Sequence, residues 1–289
     1  MLSRWIGRRA KYPAAAPAID VRTPRPEDDP WFWSHFKTVA DIVLAEVPRH
    51  CTLGGCRILD FGCGDGAASL GVALQVGAEV AGVDLARSFD HLPALAKKNL
   101  YLEQLPANLS FHEVLPDRPL PFADGFADLV YSWSVFEHVA DARASLVEIA
   151  RVTKPGGYLF TQIDPLFYSP YGSHLWRLVR EPWAHLRLTN DELTALASAA
   201  PNDIPASEQD VLYRTNTFDD VKRYLLKEYS RLNRITADQL CELVSGAGFR
   251  LCNKKLTFAD EQVPDELLAK GYSKEQLMTQ QIVLLARRV

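Results

Sequence analysis

The sequence predicts an α/β fold: a doubly wound, mostly parallel sheet with helices on both faces, and a helical, aromatic-rich insertion after the fifth strand. Three observations predict it. Short apolar runs alternate with helical patterns from residue 57 onward, the pattern of a parallel sheet covered by helices. The first run leads into a glycine turn and a helix start, RILDFGCGDGAAS at 57–69. After residue 164 the rhythm breaks, with many aromatics and with Pro170, Pro182 and Pro201, and it returns at Thr236.

Residues 1–30 read as a tail and connector. The stretch MLSRWIGRRAKYPAAAPA is basic and lacks the continuous apolar run of a secretory signal. Trp5 and Ile6 among Arg4, Arg8, Arg9 and Lys11 would suit membrane-surface contact, and a frayed terminus is the plainer reading. Residues 31–289 read as a single domain. An aromatic-headed helix spans 31–48 and packs on the elements after it. Strands are expected at 57–61, 79–84, 109–114, 127–132 and 157–163, with helices near 66–76, 92–104 and 142–153. Residues 165–235 read as an insertion or lid, since long segments off a regular core are usually functional. Thr236 with Gln239 forms a capping box. Its helix runs to about Ser245, and Gly246 or Gly248 terminates it. Strands at 249–257 and 281–288 flank a helical stretch at 263–280.

Composition limits the function. The chain has 289 residues, 47% of them hydrophobic, so it can bury a substantial core. A formal net charge of −4 argues against a basic nucleic-acid-binding surface. Cys51, Cys56, Cys63, Cys241 and Cys252 form no Cys-x-x-Cys pair. They read as reduced thiols of a cytoplasmic protein, and no metal site is expected. No apolar run approaches the ~18–20 residues of a membrane span.

The glycine turn carries the first chemistry. Gly62, Gly64 and Gly66 follow Asp60, where glycine permits positive φ and close approach of a ligand to the backbone. The helix behind them offers N–H groups to an anionic group. Gly62, Gly64 and Ala67 also satisfy the looser dinucleotide pattern. A second acid, Asp84, ends AEVAGVDLA and is suited to a ribose diol. That acid serves a nicotinamide dinucleotide or S-adenosylmethionine equally. Asp60 before the glycines and the segment 120–139 separate the two readings, because the dinucleotide fingerprint has no counterpart to 120–139.

LDFGCGDG (59–66), VAGVDLA (80–86), LPFADGFADLVYSWSVFEHV (120–139) and VTKPGGYLF (152–160), in this order, resemble the class I S-adenosylmethionine-dependent methyltransferases. The resemblance covers residues 55–164 and, more weakly, 236–288. It implies a seven-stranded Rossmann-like sheet whose last strand is antiparallel, with S-adenosylmethionine as cofactor and S-adenosylhomocysteine as product. Gly62, Gly64 and Gly66 would pass under the methionine part, and Asp60 would face its amino end. Asp84 would hold the ribose diol and Leu85 would pack on the adenine face. Ser132 and Trp133 would line the methionine and substrate side. The family often carries an adenine-binding acid just before Leu-Pro-Phe. HEVLPDRPLPF (112–122) offers Asp117 there, with backbone near Val114 as the alternative. Glu137 and His138 read as the start and cap of the next helix, and Lys154–Gly157 as a turn shaping the fifth strand.

Methyl transfer from a sulfonium depends on alignment and exclusion of water, and a hydroxyl acceptor also needs a base. YSPYGSHLWRLVREPWAHL (168–186) holds His174 and His185 as candidate catalytic residues. Around them stand Tyr168, Tyr171, Trp176 and Trp183, which would pack either an acceptor ring or the insertion's own core. The expected acceptor is a small-molecule or sugar-containing hydroxyl compound. The alternatives are a nicotinamide-dependent oxidoreductase and a catalytically silent binding protein.

Overall fold

A computed structural model describes residues 22–26, 28–46, 55–204 and 217–289. The basic stretch at 1–18 and Cys51 lie outside the described residues. The chain divides into two compact units, Met1–Glu113 and Val114–Val289.

The first unit opens with a helical entry. Asp29 accepts from the Trp31 and Phe32 amides at 2.9 and 3.1 Å and so caps α1 (Pro30–Trp33); Pro30 sits at the helix start, where its missing N–H costs nothing. A π-helical turn, Ser34–Val39, leads into α2 (Ala40–Glu46). Next come β1 (Arg57–Phe61), α3 (Ala67–Val76), β2 (Glu79–Asp84), α4 (Leu92–Leu100) and β3 (Leu109–Glu113). β1 and β2 pair in parallel, as do β2 and β3. Phe32, Trp33 and Phe36 bury against Leu70 and Leu74 of α3 and Leu92 and Ala96 of α4.

The wide π-helical turn brings its backbone onto α3. A Cβ at Gly71 would lie 1.7 Å from the Phe36 carbonyl oxygen, so Gly71 is the residue that allows this approach. Gly71→Ala is expected to destabilise the protein by about 1–3 kcal/mol, the usual range for overpacking against backbone. Urea unfolding of the variant, with unchanged denaturant sensitivity, checks this.

The second unit holds β4 (Ala127–Trp133), α5 (Ala142–Val152) and β5 (Thr153–Ile163). It continues with α6 (Ala184–Arg187), α7 (Asn190–Ala199), α8 (Phe218–Arg231) and α9 (Ala237–Gly246). β6 (Phe249–Phe258), α10 (Asp265–Ala269), α11 (Lys274–Met278) and β7 (Thr279–Arg288) complete it. β4 and β5 are parallel, while β7 runs antiparallel to both β5 and β6. The strands form a seven-stranded sheet in the order β3-β2-β1-β4-β5-β7-β6. The expected seven-stranded sheet with an antiparallel last strand is therefore present.

Several local expectations need correction. Lys154–Gly157 belongs to β5 rather than to a turn before it. Ala127 pairs with Thr153 and Leu129 with Tyr158, so residues 154–157 bulge out of the ladder. Lys154 Nζ fixes the bulge to Asp128 Oδ1 at 2.6 Å. Glu137 and His138 neither start nor cap α5; Asp141 does, accepting from the Ala144 amide at 2.9 Å. The capping box at Thr236 and Gln239 is present. Gly246 is the last helical residue, and Gly248, at φ +91°, takes the left-handed position. The 263–280 stretch is two short helices, α10 and α11, with β7 already begun at Thr279.

The insertion builds a core of its own, and that core is aliphatic. Leu175, Leu178, Val179, Leu193, Val221 and Leu225 bury together. The two tryptophans part ways. Trp183 is buried with Val263, Leu267 and Leu277, and its Nε1 donates to the Tyr168 and Leu277 carbonyls. Trp176 stays 48% exposed, with the Arg177 guanidinium 4.3 Å over its ring.

Candidate active site

In the first unit, the glycine loop is held from behind by β2. Gly62, Gly64 and Gly66 have φ of +82°, +55° and +79°, the left-handed region that glycine enters without strain. The Gly62 and Cys63 amides both donate to the Val83 carbonyl, at 2.9 and 3.0 Å, and the Gly66 amide to the Cys63 carbonyl at 2.9 Å. Asp84 completes the clasp: Oδ2 accepts from the Gly64 amide at 2.9 Å and Oδ1 from the Ala86 amide at 3.0 Å. An ionised carboxylate has about four acceptor positions, so these two bonds leave capacity on both oxygens.

The loop's two faces differ. A Cβ on Gly66 would lie 2.6 Å from the Phe111 ring, whereas a Cβ on Gly64 would meet nothing within 4 Å. The Gly64 side is therefore open to a ligand while the Gly66 side is packed. Beside it, Leu85 presents an apolar side chain that is 59% exposed. An open glycine, a half-buried carboxylate and an apolar face together suit an adenosine group, with the diol on the acid and the base on Leu85. S-adenosylmethionine fits these residues.

Asp60 lies near the end of β1. It is 2% exposed, and Ser69 Oγ donates to its Oδ2 at 2.5 Å, tying the end of β1 to α3. Asp65 Oδ1 accepts from the Ala67 amide at 3.0 Å, so one of the helix N–H groups is already engaged. Cys63 is buried, and burial together with Asp60, Asp84 and Asp65 pushes its thiol well up. Its small side chain fits beneath Gly82, where an added Cβ would lie 2.9 Å from the Cys63 Sγ.

In the second unit, β4 ends at Ser132 and Trp133. Ser132 is fully buried and its Oγ has no hydrogen-bond partner among the described residues; the same holds for Thr161 Oγ1, its register partner on β5. Trp133 is half-buried. Ser134 turns the chain with φ +51° and gives its amide and hydroxyl to Gln162 Oε1. Asp117 sits exposed in a surface turn.

The two histidines of the insertion are anchored to backbone. His174 Nε2 faces the Pro165 carbonyl at 3.4 Å and His185 Nε2 the Phe167 carbonyl at 2.7 Å. A carbonyl only accepts, so each Nε2 carries the hydrogen. Burial pushes both imidazoles down to about 4, so both are neutral at pH 7. A third histidine joins them. The His138 ring meets that of His174 edge to face, with centroids 5.2 Å apart, and burial lowers its pKa against the pull of Glu228. Next to it Glu137 is fully enclosed with no partner for either carboxylate oxygen among the described residues; burial lifts it to about 8. No group of three or more His, Cys, Asp or Glu side chains among the described residues is arranged to hold a metal ion. No sequence signal paired His138 with Glu228, which lies 90 residues further along the chain.

A glycine-rich turn after β1, an acid closing β2 and a seven-stranded sheet whose last strand is antiparallel to both its neighbours define a Rossmann-like methyltransferase fold. Residues 59–161 match the family described as a methyltransferase domain. Residues 59–161 thus form a class I S-adenosylmethionine-dependent methyltransferase domain. Among curated proteins, a ubiquinone biosynthesis O-methyltransferase of Azoarcus sp. is 32% identical over 130 residues, 44% of this chain and 53% of that protein. The chain spans about half the length of the curated relatives it matches. Two solved structures share the fold. One, an S-adenosylmethionine-dependent methyltransferase from Mesorhizobium loti, has a TM-score of 0.50 and 18% identity, covering 86% of this chain and 96% of that one. The other, the [4+2]-cyclase SpnF, has a TM-score of 0.52 and 19% identity, covering 87% and 80%.

Proposed function

We propose that the protein transfers a methyl group from S-adenosylmethionine to a hydroxyl of a small-molecule or glycan-type acceptor, and that 31–289 acts as one methyltransferase domain with 165–235 as its acceptor-side insertion. The observation that carries the reading is the clasped glycine loop: Gly64 is open on its ligand face while Asp84 grips it from behind. Gly62, Gly64 and Gly66 would hold the methionine part, Asp84 the ribose and Leu85 the adenine. Asp60, braced by Ser69, would face the amino end of the methionine part. Asp117 would meet the adenine, and Ser132 and Trp133 would line the methionine and substrate side. When bound, the sulfonium supplies an already activated methyl group.

The hydroxyl reading is supported by neutral imidazoles in the second unit, which serve as bases at pH 7. His174 and His185 are the candidates from the insertion. His185 is the more deeply committed, with its Nε2 bonded to Phe167 and its Nδ1 enclosed. The ubiquinone-pathway relative is an O-methyltransferase by name, which favours a phenolic hydroxyl in the first acceptor screen. SpnF, named as a cyclase, keeps the silent or repurposed reading in view, since fold alone does not determine chemistry.

Calorimetric titration with S-adenosylmethionine, S-adenosylhomocysteine and NADH tests the cofactor. Micromolar binding of the first two and none of NADH is expected. A panel of catechols, phenols and monosaccharides, read by S-adenosylhomocysteine release, then tests the acceptor. Binding of NADH alone would replace the proposal with an oxidoreductase. Cofactor binding without turnover on any hydroxyl would remove the acceptor class.

A further inference from the structure

The second unit holds an arrangement that the insertion histidines do not explain. His138 lies in the turn after β4, and its Nδ1 is 3.4 Å from Glu228 Oε2 on α8. The His138 side chain is 32% exposed and that of Glu228 22%. Nδ1 itself is enclosed and makes no hydrogen bond among the described residues, so its approach to Glu228 is a charge contact. The segment just after α8 also grips the turn. The Asn233 amide donates to the Glu137 carbonyl at 2.8 Å, and Asn233 Nδ2 donates to the Val139 carbonyl at 2.8 Å and to the Phe136 carbonyl. α8 therefore brings the carboxylate to His138, and the segment that follows it fixes the backbone on both sides of that residue. His174 closes the remaining side edge to face.

This differs from His174 and His185, whose Nε2 atoms point at carbonyls. A carboxylate facing Nδ1 favours the tautomer with hydrogen on Nδ1, which leaves a lone pair on Nε2. A base oriented by an acceptor on its far nitrogen is a recurring arrangement in proton-transfer sites.

We propose that His138 is the catalytic base for the acceptor hydroxyl and that Glu228 is a positioning residue that holds it in the Nδ1–H tautomer. This rests on the methyl-transfer reading. The proton passes from the acceptor oxygen to Nε2 and then to water. The oxygen's electron pair forms the new bond to the methyl carbon, while the carbon–sulfur bond breaks with its pair left on sulfur. Glu137 and Asp164, both raised by burial, and His174, held low by burial, are titratable groups near this turn among the described residues. None of them places a second carboxylate on the His138 ring.

The test is long-range proton–nitrogen NMR of uniformly labelled full-length protein, with resonances assigned by His138→Gln. The wild type is expected to show the Nδ1–H tautomer of neutral His138, titrating below the ordinary 6.5. Glu228→Met, similar in length but without an acceptor, should shift it to a mixture or to Nε2–H. Glu228→Gln, which keeps an oxygen, should restore it. With an acceptor from the panel, His138→Gln should lower kcat by about 10²–10⁴-fold while calorimetric affinity for S-adenosylhomocysteine is unchanged. An Nε2–H tautomer in the wild type, or one indifferent to Glu228→Met, overturns the proposal, as does full turnover by His138→Gln. Absence of cofactor binding in the wild type would sink the methyltransferase reading instead, and the NMR result would still judge the His138–Glu228 pair.

Discussion

Asp84→Ala should abolish measurable cofactor binding without unfolding the protein. The carboxylate has two tasks. It accepts from the Gly64 and Ala86 amides, which fixes the loop, and it has room left for two ribose hydroxyls. Charge-assisted hydrogen bonds contribute about 1.5–3 kcal/mol each. Losing the diol contacts alone removes roughly 3 kcal/mol or more, over a hundredfold in Kd. The loop loses its clasp as well, which adds an ordering cost on binding. Asp84→Asn separates the two effects. Its amide oxygen still accepts from one backbone N–H, but its NH₂ turns a donor toward the other. The asparagine variant should therefore fall between wild type and alanine in affinity for S-adenosylhomocysteine. Calorimetry measures this, with circular dichroism and urea unfolding as the folding control. Wild-type affinity in Asp84→Ala would remove Asp84 from the site.

The same residue shows what was legible in the sequence. Strand, glycine turn and acid are consecutive features with local causes: alternation of apolar runs, positive φ, a strand end. They fell where the sequence placed them, β1 and β2 to the residue. Misreadings came where distant segments decide. Lys154–Gly157 has a turn's composition, but antiparallel β7 reaches it: Arg287 Nε donates to the Gly156 carbonyl at 3.0 Å, and the segment stays within the strand as a bulge. His138 reads as a helix start because Asp141, three residues on, is an equally good cap. Only Glu228 and Asn233 reveal another environment, and neither is near it in sequence. The aromatics of the insertion left open whether they pack a core or an acceptor; Trp183 buries, Trp176 remains outside, and the insertion's main cluster is aliphatic.

Glu137 makes the second strong prediction, a stability maximum near neutrality with a falling alkaline limb. Its carboxyl titrates at about 8 when folded against an ordinary 4.5, because burial without a partner penalises the anion. Between those values the folded protein holds a proton that the unfolded chain has lost. Stability then declines with rising pH, at about 1 kcal/mol for each unit. His174 and His185 act in the opposite sense. Both are held near 4 against an ordinary 6.5, so the unfolded chain binds more protons in that window and stability rises with pH. The two histidines outweigh the one carboxyl up to about 6.5, and above it Glu137 alone remains of the three. Urea unfolding at a series of pH values should show stability climbing from pH 4 to about 6.5 and falling toward pH 8. Glu137→Gln keeps the shape of the protonated acid and cannot ionise, so its profile should level off above 6.5. Asp164, also raised by burial, adds to the falling sense in both proteins, so the difference between the two profiles is the decisive quantity. Parallel decline in wild type and variant would mean that Glu137 is hydrated and ordinary. A decline confined to the wild type would establish a neutral carboxyl beside His138.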